Sequence, residues 1–577
     1  MRPGSILGTE VRRLEDPELL TGAGTFIANL VQAGDAHAVF VRSPLAHARV
    51  SGIVVSEARN APGVLAVFTR EDQVGSRTLP GYWEVNPAMR RPALAGEVVR
   101  YVGEPVALVI AESRAQAVDA AELVDVDYDP LPVIVDIEEA VRAAEEFYPG
   151  LQGLVGRAVR SGAEEPLSGA SRVVRVRTLN QRIATAPMEG HALLADPTAA
   201  PLTVWVGTQQ PHDSRETLAT DTGLGPDEIR VIAPHVGGGF GGKAGIVPEA
   251  LVVVRAAREL GRRVLWQETR SEAMLSMHGR DQVHWAELGL DADGHIVGLR
   301  LRVAGDCGAY AGFGGGLALG PTYLMATGPY RVPQLRYDGI AVLTNTAPNG
   351  AFRGAGRPEA AAILERLLDL AADELDLPPE EIRRRNLLAP EEFPYQTLTG
   401  ADYDNGDYQR ALDEVLRRAD VEGLRAEQRR RRQAGETRQL GIGLATYVEV
   451  TGFGGSNRMR HSLVPARWFS AATQPGDAYG SGGSVVVVAA SVVVVDAPPE
   501  GEGVAQGQRV RAVGVSGVAK AMLVDGHGHV FQGEDLSAER RHGEQAGGVG
   551  IAVVPGRERV PGLRAADARH RIPIEAR

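Results

Sequence analysis

Residues 237–243 read Gly-Gly-Gly-Phe-Gly-Gly-Lys, and a stretch so rich in glycine ending in a cation has the makings of an anion cradle. Without a Cβ, backbone N–H groups approach a ligand closely. The stretch follows an apolar run, Ile229-Arg-Val-Ile-Ala, and precedes a helical pattern from Pro248. A helix N-terminus there would add partial positive charge. Two phosphate patterns come close. Gly237 to Gly242-Lys243 has nucleoside-triphosphate-loop spacing, but Ala244 stands where Ser or Thr would hold magnesium. Gly237, Gly239 and Gly242 have dinucleotide-fingerprint spacing, without an acidic ribose ligand ending a following strand. A tight turn in a chain with 70 glycines is the third reading. These residues alone leave all three open.

Other candidate groups have simpler readings. A second glycine-rich loop, Thr344-Asn-Thr-Ala-Pro-Asn-Gly-Ala-Phe-Arg-Gly-Ala-Gly-Arg, carries two arginines. His47, alone between alanines, reads as structural. Asp125, Asp127 and Asp129 alternate and so share one strand face, read as solvated. The run Arg429–Arg432 reads as a solvated helix face. The single cysteine, Cys307, excludes a disulfide framework, a cysteine zinc site and an iron–sulfur cluster ligated within this chain.

These residues need several elements to position them. At 577 residues the chain should form several domains, each with its own core. Apolar content of 44% and charged content of 23% are those of a soluble globular protein. A net charge of −12 argues against a general nucleic-acid surface. No apolar run suits a signal peptide or a membrane span, so cytoplasmic residence is expected. Ala38-Val-Phe-Val-Arg and Val64-Leu-Ala-Val-Phe-Thr read as strands, and Ser113 as the N-cap of a helix. This first mixed block closes near Asp136. Residues 137–170, acidic and rich in small residues, read as a linker. A second, β-rich block from Ser171 holds both glycine loops, and Pro358 opens a long amphipathic helix, Glu359 to Asp376, from its first position. Gly441-Ile-Gly-Leu-Ala-Thr-Tyr-Val-Glu-Val reads as a strand opening a third block. From about Ser456 the composition changes: Val485–Val488 and Val492–Val495 are homopolymeric, and the residues beyond them have weak periodicity.

The order of motifs resembles the molybdopterin-binding large subunit of the xanthine dehydrogenase, aldehyde oxidase and aerobic carbon monoxide dehydrogenase family. Over residues 8–455 the matching segments are Arg42-Ser-Pro-Leu-Ala-His-Ala-Arg, Val102-Gly-Glu-Pro-Val-Ala, Thr208-Gln-Gln-Pro-His, Val236 to Lys243, Asp306-Cys-Gly-Ala-Tyr, Gly328-Pro-Tyr, Thr344 to Gly354, and Arg383-Arg-Arg-Asn-Leu. Each alone is weak; their joint order is specific. The resemblance implies an α+β fold: a lead-in (1–18), an α/β-hammerhead domain (19–136), the linker, a first mixed α/β molybdopterin-binding domain (171–400), and the start of a second (401–455). It implies that Gly238, Gly239, Phe240 and Gly241 contact the cofactor, and that Gln209 hydrogen-bonds an apical oxo group on molybdenum. Phe352, Arg353 and Gly354 would form the loop in which Arg353 binds the pterin or its phosphate. A buried phosphate suits backbone N–H groups and a guanidinium fork, and an oxo ligand suits a neutral amide donor.

By the same resemblance the activity is oxidation of an aldehyde, an N-heterocycle or a carbon monoxide-like substrate, with water supplying the oxygen. Molybdopterin, in its cytosine dinucleotide form, would carry the molybdenum. Electrons would leave through a 2Fe–2S small subunit and an FAD-binding medium subunit, in a dimer of heterotrimers. Ala244 stands where purine hydroxylases carry a substrate-recognising glutamate, which disfavours a purine. Gly354 stands where the copper-dependent carbon monoxide dehydrogenases carry a cysteine, and the loop looks like that of the form II group. Residues 456–577 depart from the family. The expected catalytic glutamate is not found in its usual surroundings; Glu534 and Glu544 are the only tail candidates. That stretch is expected to be a degenerate or atypical continuation, leaving the second cofactor domain incomplete. Two other readings stand beside this one: an inactive remnant that only assembles with partners, and a nucleotide-binding protein using residues 237–243.

Overall fold

The computed structural model describes residues 12–72, 89–143, 155–311 and 319–450, and four later strands within 486–533. A seven-stranded mixed sheet dominates the N-terminal half. Its order is Ile229–Ile232, Leu202–Val206, Ala192–Asp196, Val264–Gln267, Ala36–Arg42, Pro105–Ala111 and Val64–Phe68. Pro105–Ala111 is buried at every position, as an unbroken apolar run requires when both faces of a strand are covered. Ala36–Arg42 pairs antiparallel with Pro105–Ala111 on one side and parallel with Val264–Gln267 on the other. The first block and the second therefore share one sheet. They share one core as well, in which Phe40, Phe68, Leu108 and Ile110 pack with Leu193, Val204, Leu251 and Trp266. The first block also keeps smaller cores of its own, Ala58, Val109 and Ala120 in one and Val50, Val99 and Val106 in another, so the expectation of separate cores holds only in part: Ala36–Arg42 hydrogen-bonds directly to Val264–Gln267 of the second block.

Helix Pro248–Leu260 lies on this sheet against Ala192–Asp196 and Val264–Gln267. Its middle, Ala-Leu-Val-Val-Val, is buried on every side, which explains its nearly continuous apolar sequence. Gly261, at φ 59°, ends it. Helix Arg114–Ala121 is capped by Ser113, whose hydroxyl accepts from the Gln116 amide at 3.3 Å. Asp125, Asp127 and Asp129 are all exposed along strand Asp125–Pro130. His47 is half-buried, with Nδ1 2.5 Å from the Pro132 carbonyl.

A second sheet runs Val155–Gly162, Leu335–Val342, Ile296–Asp306, Gln282–Leu290 and Arg172–Asn180. Part of the expected linker belongs to it: Val155–Gly162 is an edge strand, antiparallel to Leu335–Val342. Helix Ile137–Arg142, capped by Asp136, packs Ile137 and Ala140 against Val283, Ala304 and Val342. Acidic and small residues suit a short, half-exposed helix, so composition concealed both elements. The long helix spans Arg357–Glu374. Pro358 takes its second position rather than its first, where its missing N–H is equally harmless. Beneath this helix Arg383, fully buried, donates to Glu365 at 2.8 Å, to Asp369 at 2.9 Å and to the Leu444 carbonyl at 2.9 Å. Arg383 thus ties strand Gln439–Val450 to helix Arg357–Glu374.

In the tail, both valine runs fall within one strand, Val486–Ala497, apart from Val485, which lies outside the described residues. This strand pairs antiparallel with Gln439–Val450 and then with Arg509–Val515. A strand suits these runs without an amphipathic pattern, since valine is stiff at χ1 and favours strands. Glu534 and Glu544 lie outside the described residues. Among the described residues no helix is long and apolar enough to cross a membrane.

Candidate functional site

The glycine loop leaves strand Ile229–Ile232 and turns through left-handed backbone at Gly238 (φ 94°), Phe240 (54°) and Gly241 (97°). Phe240, a bulky residue there, is strained and half-exposed. Two glycines are required by close approach. A Cβ on Gly239 would sit 2.5 Å from Oε1 of Gln209, and one on Gly241 2.5 Å from the Ala351 carbonyl oxygen. The loop is therefore pressed between the Gln209 turn and the second glycine loop.

Gln209 follows strand Leu202–Val206 and precedes helix Pro211–Thr222. Its backbone N–H donates to the Lys243 carbonyl at 2.8 Å. Its Oε1 accepts from the Gly241 amide at 2.9 Å and the Lys243 amide at 3.3 Å. Two backbone donors at the oxygen orient the carboxamide, and its –NH2 is left to donate elsewhere. The second loop meets the first where the Arg353 amide donates to the Phe240 carbonyl at 2.8 Å. It bends through Gly354 (φ 96°), Ala355 (34°) and Gly356 (90°) before helix Arg357–Glu374 begins. The structure thus brings together Gln209, Gly238, Gly239, Phe240, Gly241, Phe352, Arg353 and Gly354.

Lys243 overturns the triphosphate-loop reading. It is buried, with Nζ 2.8 Å from Oε2 of Glu189, and desolvation lowers its pKa. A lysine so paired is not presented to a phosphate. The helix does not follow the loop directly either: it begins at Pro248, and its first turn carries its own carboxylate, Glu249. Burial pushes the Glu249 carboxyl up, but the Arg91 and Arg42 guanidiniums, at 3.0 and 3.1 Å, outweigh it and hold the pKa at about 2. The helix end and both guanidiniums are thus already engaged by a carboxylate of the chain itself.

Sequence reasoning missed two supports. Glu189 neutralises Lys243 and also accepts from the Gly237 amide at 3.0 Å. Arg280 donates to the Arg353 carbonyl at 2.8 Å. The signal for Glu189 lay in Lys243 itself, since a buried ammonium needs a carboxylate. For Arg280 the local sequence held none.

Do these residues suit a large anionic cofactor? Among the described residues, the Gly239 and Phe240 amides and the Gln209 carboxamide nitrogen have no protein acceptor, and the Arg353 guanidinium has no carboxylate partner. All are donors, set on two touching loops and the adjoining turn. The donor set fits an anionic, oxygen-rich group.

The fold is a mixed α+β arrangement in which two glycine loops are packed against each other. Known proteins agree. Residues 21–132 match the "Aldehyde oxidase and xanthine dehydrogenase, a/b hammerhead domain", and residues 152–387 match the "Molybdopterin cofactor-binding domain". The 6-hydroxypseudooxynicotine dehydrogenase complex subunit gamma of Paenarthrobacter nicotinovorans is 38% identical over 467 residues, covering 78% of this chain and 58% of that protein. The carbon monoxide dehydrogenase large chain of Hydrogenophaga pseudoflava is 34% identical, covering 77% and 58%. The quinoline 2-oxidoreductase structure from Pseudomonas putida 86 superposes with a TM-score of 0.74 at 35% identity, covering 80% of this chain and 60% of that one. The chain thus belongs to the molybdopterin-binding large-subunit family of the xanthine dehydrogenase, aldehyde oxidase and carbon monoxide dehydrogenase type. It spans less than two thirds of the length of these relatives.

Proposed function

We propose that this chain is the catalytic large subunit of a cytoplasmic molybdenum hydroxylase acting on an N-heterocycle. The convergence of Gln209, the Gly238–Gly241 loop and the Phe352–Gly354 loop carries this reading. The quinoline 2-oxidoreductase, and the nicotine 6-hydroxylase large subunit of Paenarthrobacter nicotinovorans, 36% identical over 460 residues, favour an N-heterocycle over an aldehyde or carbon monoxide. Ala244 in place of a glutamate disfavours a purine.

When bound, molybdopterin would supply oxidation at a substrate carbon, with water as oxygen source. The chain's part is to hold and orient it. The Gln209 –NH2 would be the group that donates to the bound cofactor, since its carbonyl is already engaged by Gly241 and Lys243. The Gly239 and Phe240 amides and the Arg353 guanidinium would hold its anionic part, the cofactor being taken as the cytosine dinucleotide form. The Glu189–Lys243 pair under the loop holds its backbone in place. Cys307 is the single cysteine and is buried, so this chain cannot ligate an iron–sulfur cluster to carry the electrons away. They leave through a 2Fe–2S small subunit and an FAD-binding medium subunit.

Metal and pterin analysis of the chain purified with its partners tests this. Stoichiometric molybdenum is expected, with quinoline or nicotine hydroxylated by oxygen from labelled water in the presence of a dye acceptor. A complex that assembles without molybdenum would refute the reading in favour of a non-catalytic subunit. Nucleotide binding by calorimetry would refute it in favour of a nucleotide site.

A further inference from the structure

Arg280 and Asp281 are consecutive non-glycine residues in left-handed backbone, at φ 66° and 67°. Two in succession persist only where their surroundings hold them there. Here the Arg280 carbonyl accepts from Nδ2 of Asn349 at 2.6 Å. The Asp281 carbonyl accepts from the Asp306 amide at 3.0 Å, and its carboxylate accepts from Nε of Arg182 at 2.6 Å.

The turn places the Arg280 side chain, 7% exposed, under the second cofactor loop. Its fork divides there. Nη1 donates to Oε2 of Glu359 at 2.9 Å, and Nη2 donates to the Arg353 carbonyl at 2.8 Å. Its guanidinium lies over the Phe352 ring, 5.0 Å from the centroid. Glu359 is fully buried and also accepts from the Gly356 amide at 2.8 Å. Just before the turn, Gly279 lies so close that a Cβ on it would be 2.3 Å from that of Phe352. The short parallel bridge His278↔Asn349 and Gly279↔Gly350 sets this approach. A cation needed only to neutralise Glu359 would not require contacts to Phe352 and the Arg353 carbonyl as well.

We propose that Arg280 is a positioning residue for the cofactor site. It aims the Phe352–Arg353 wall at the glycine loop, and the strained Arg280–Asp281 turn is the joint that holds it. The proposal rests on the molybdopterin reading above.

Arg280→Lys keeps a positive charge beside Glu359 but loses the fork that reaches the Arg353 carbonyl at the same time. In the assembled complex this variant should shed molybdopterin on dilution about tenfold faster than wild type. The melting temperature of its cofactor-free form should stay within about 2 °C of wild type. Arg280→Met combined with Glu359→Gln removes both buried charges together, and serves if the lysine variant fails to fold. It too should shed cofactor faster. Wild-type retention in either folded variant would overturn the proposal. So would cofactor loss that only follows lowered stability and is restored with stability in the double variant. A wild-type complex holding no molybdopterin would refute the function itself, and is distinguishable from both.

Discussion

Gly241→Ala isolates the contact between the two cofactor loops. Gly241 sits at φ 97°, and a Cβ there would stand 2.5 Å from the Ala351 carbonyl oxygen, a backbone atom that cannot rotate away. Gly261 makes the control, since it is also left-handed, at φ 59°, but with nothing within 4 Å of an added Cβ. Left-handed backbone at alanine costs roughly 1–2 kcal/mol, and about 0.4–1 kcal/mol of that is offset by a less flexible unfolded chain. Gly261→Ala should therefore cost about 1 kcal/mol. Gly241→Ala adds an overpacking term of roughly 1–3 kcal/mol. Separating the loops also strains the Arg353-to-Phe240 hydrogen bond, worth about 1 kcal/mol. The extra 2–4 kcal/mol falls on the site, so cofactor occupancy should fall by more than tenfold while Gly261→Ala stays near wild type. Molybdenum content and melting temperature, measured side by side, decide it. A Gly241→Ala protein with wild-type molybdenum and the same melting shift as the control would refute the packing argument.

Gln209→Glu retains an oxygen to accept from Gly241 and Lys243 but loses the donor. Molybdenum content should hold while kcat falls roughly a hundredfold, and unchanged turnover would show that the –NH2 is not used. Glu249→Gln leaves Arg91 buried without a carboxylate, while Arg42 keeps Glu272 at 2.9 Å, and should cost about 3 kcal/mol, read by denaturant unfolding. Because the folded Glu249 pKa, about 2, lies below its unfolded value, its contribution is present above pH 4.5 and is lost as pH falls toward 2. The variant should therefore show a shallower loss of stability across that window. Arg383→Leu strands the buried carboxylate of Glu365 and frees the Leu444 carbonyl. Amide exchange in strand Gln439–Val450 should rise before that in Pro105–Ala111, and uniform protection would refute a local tie.

Much of the site was legible because backbone constraints leave marks in the sequence. Glycines at 239 and 241 report close approach, and the amide at 209 and the arginine at 353 are chemically suited to oxo and phosphate groups. The supports were not legible. Glu189 lies 54 positions from Lys243 along the chain, and Arg280 lies 73 from Arg353. No local pattern links partners so separated. The linker was misjudged for a related reason: an edge strand and a short half-exposed helix need few apolar residues, so composition does not announce them.

By itself the sequence determined the kind of wall this chain can build: strands from apolar runs, helices ended by glycine, and two glycine loops separated by about a hundred residues. It left open what the first loop would hold, because strand, loop, helix and lysine also suit a nucleotide. Tertiary structure counts against the nucleotide. Burial turned Lys243 inward onto Glu189, and Glu249 occupied the helix end between Arg42 and Arg91. The second loop came within one hydrogen bond of the first. Charge neutralisation and close packing act between residues distant along the chain, and those interactions set the ambiguous cradle against the second loop, the arrangement on which the proposed cofactor site rests.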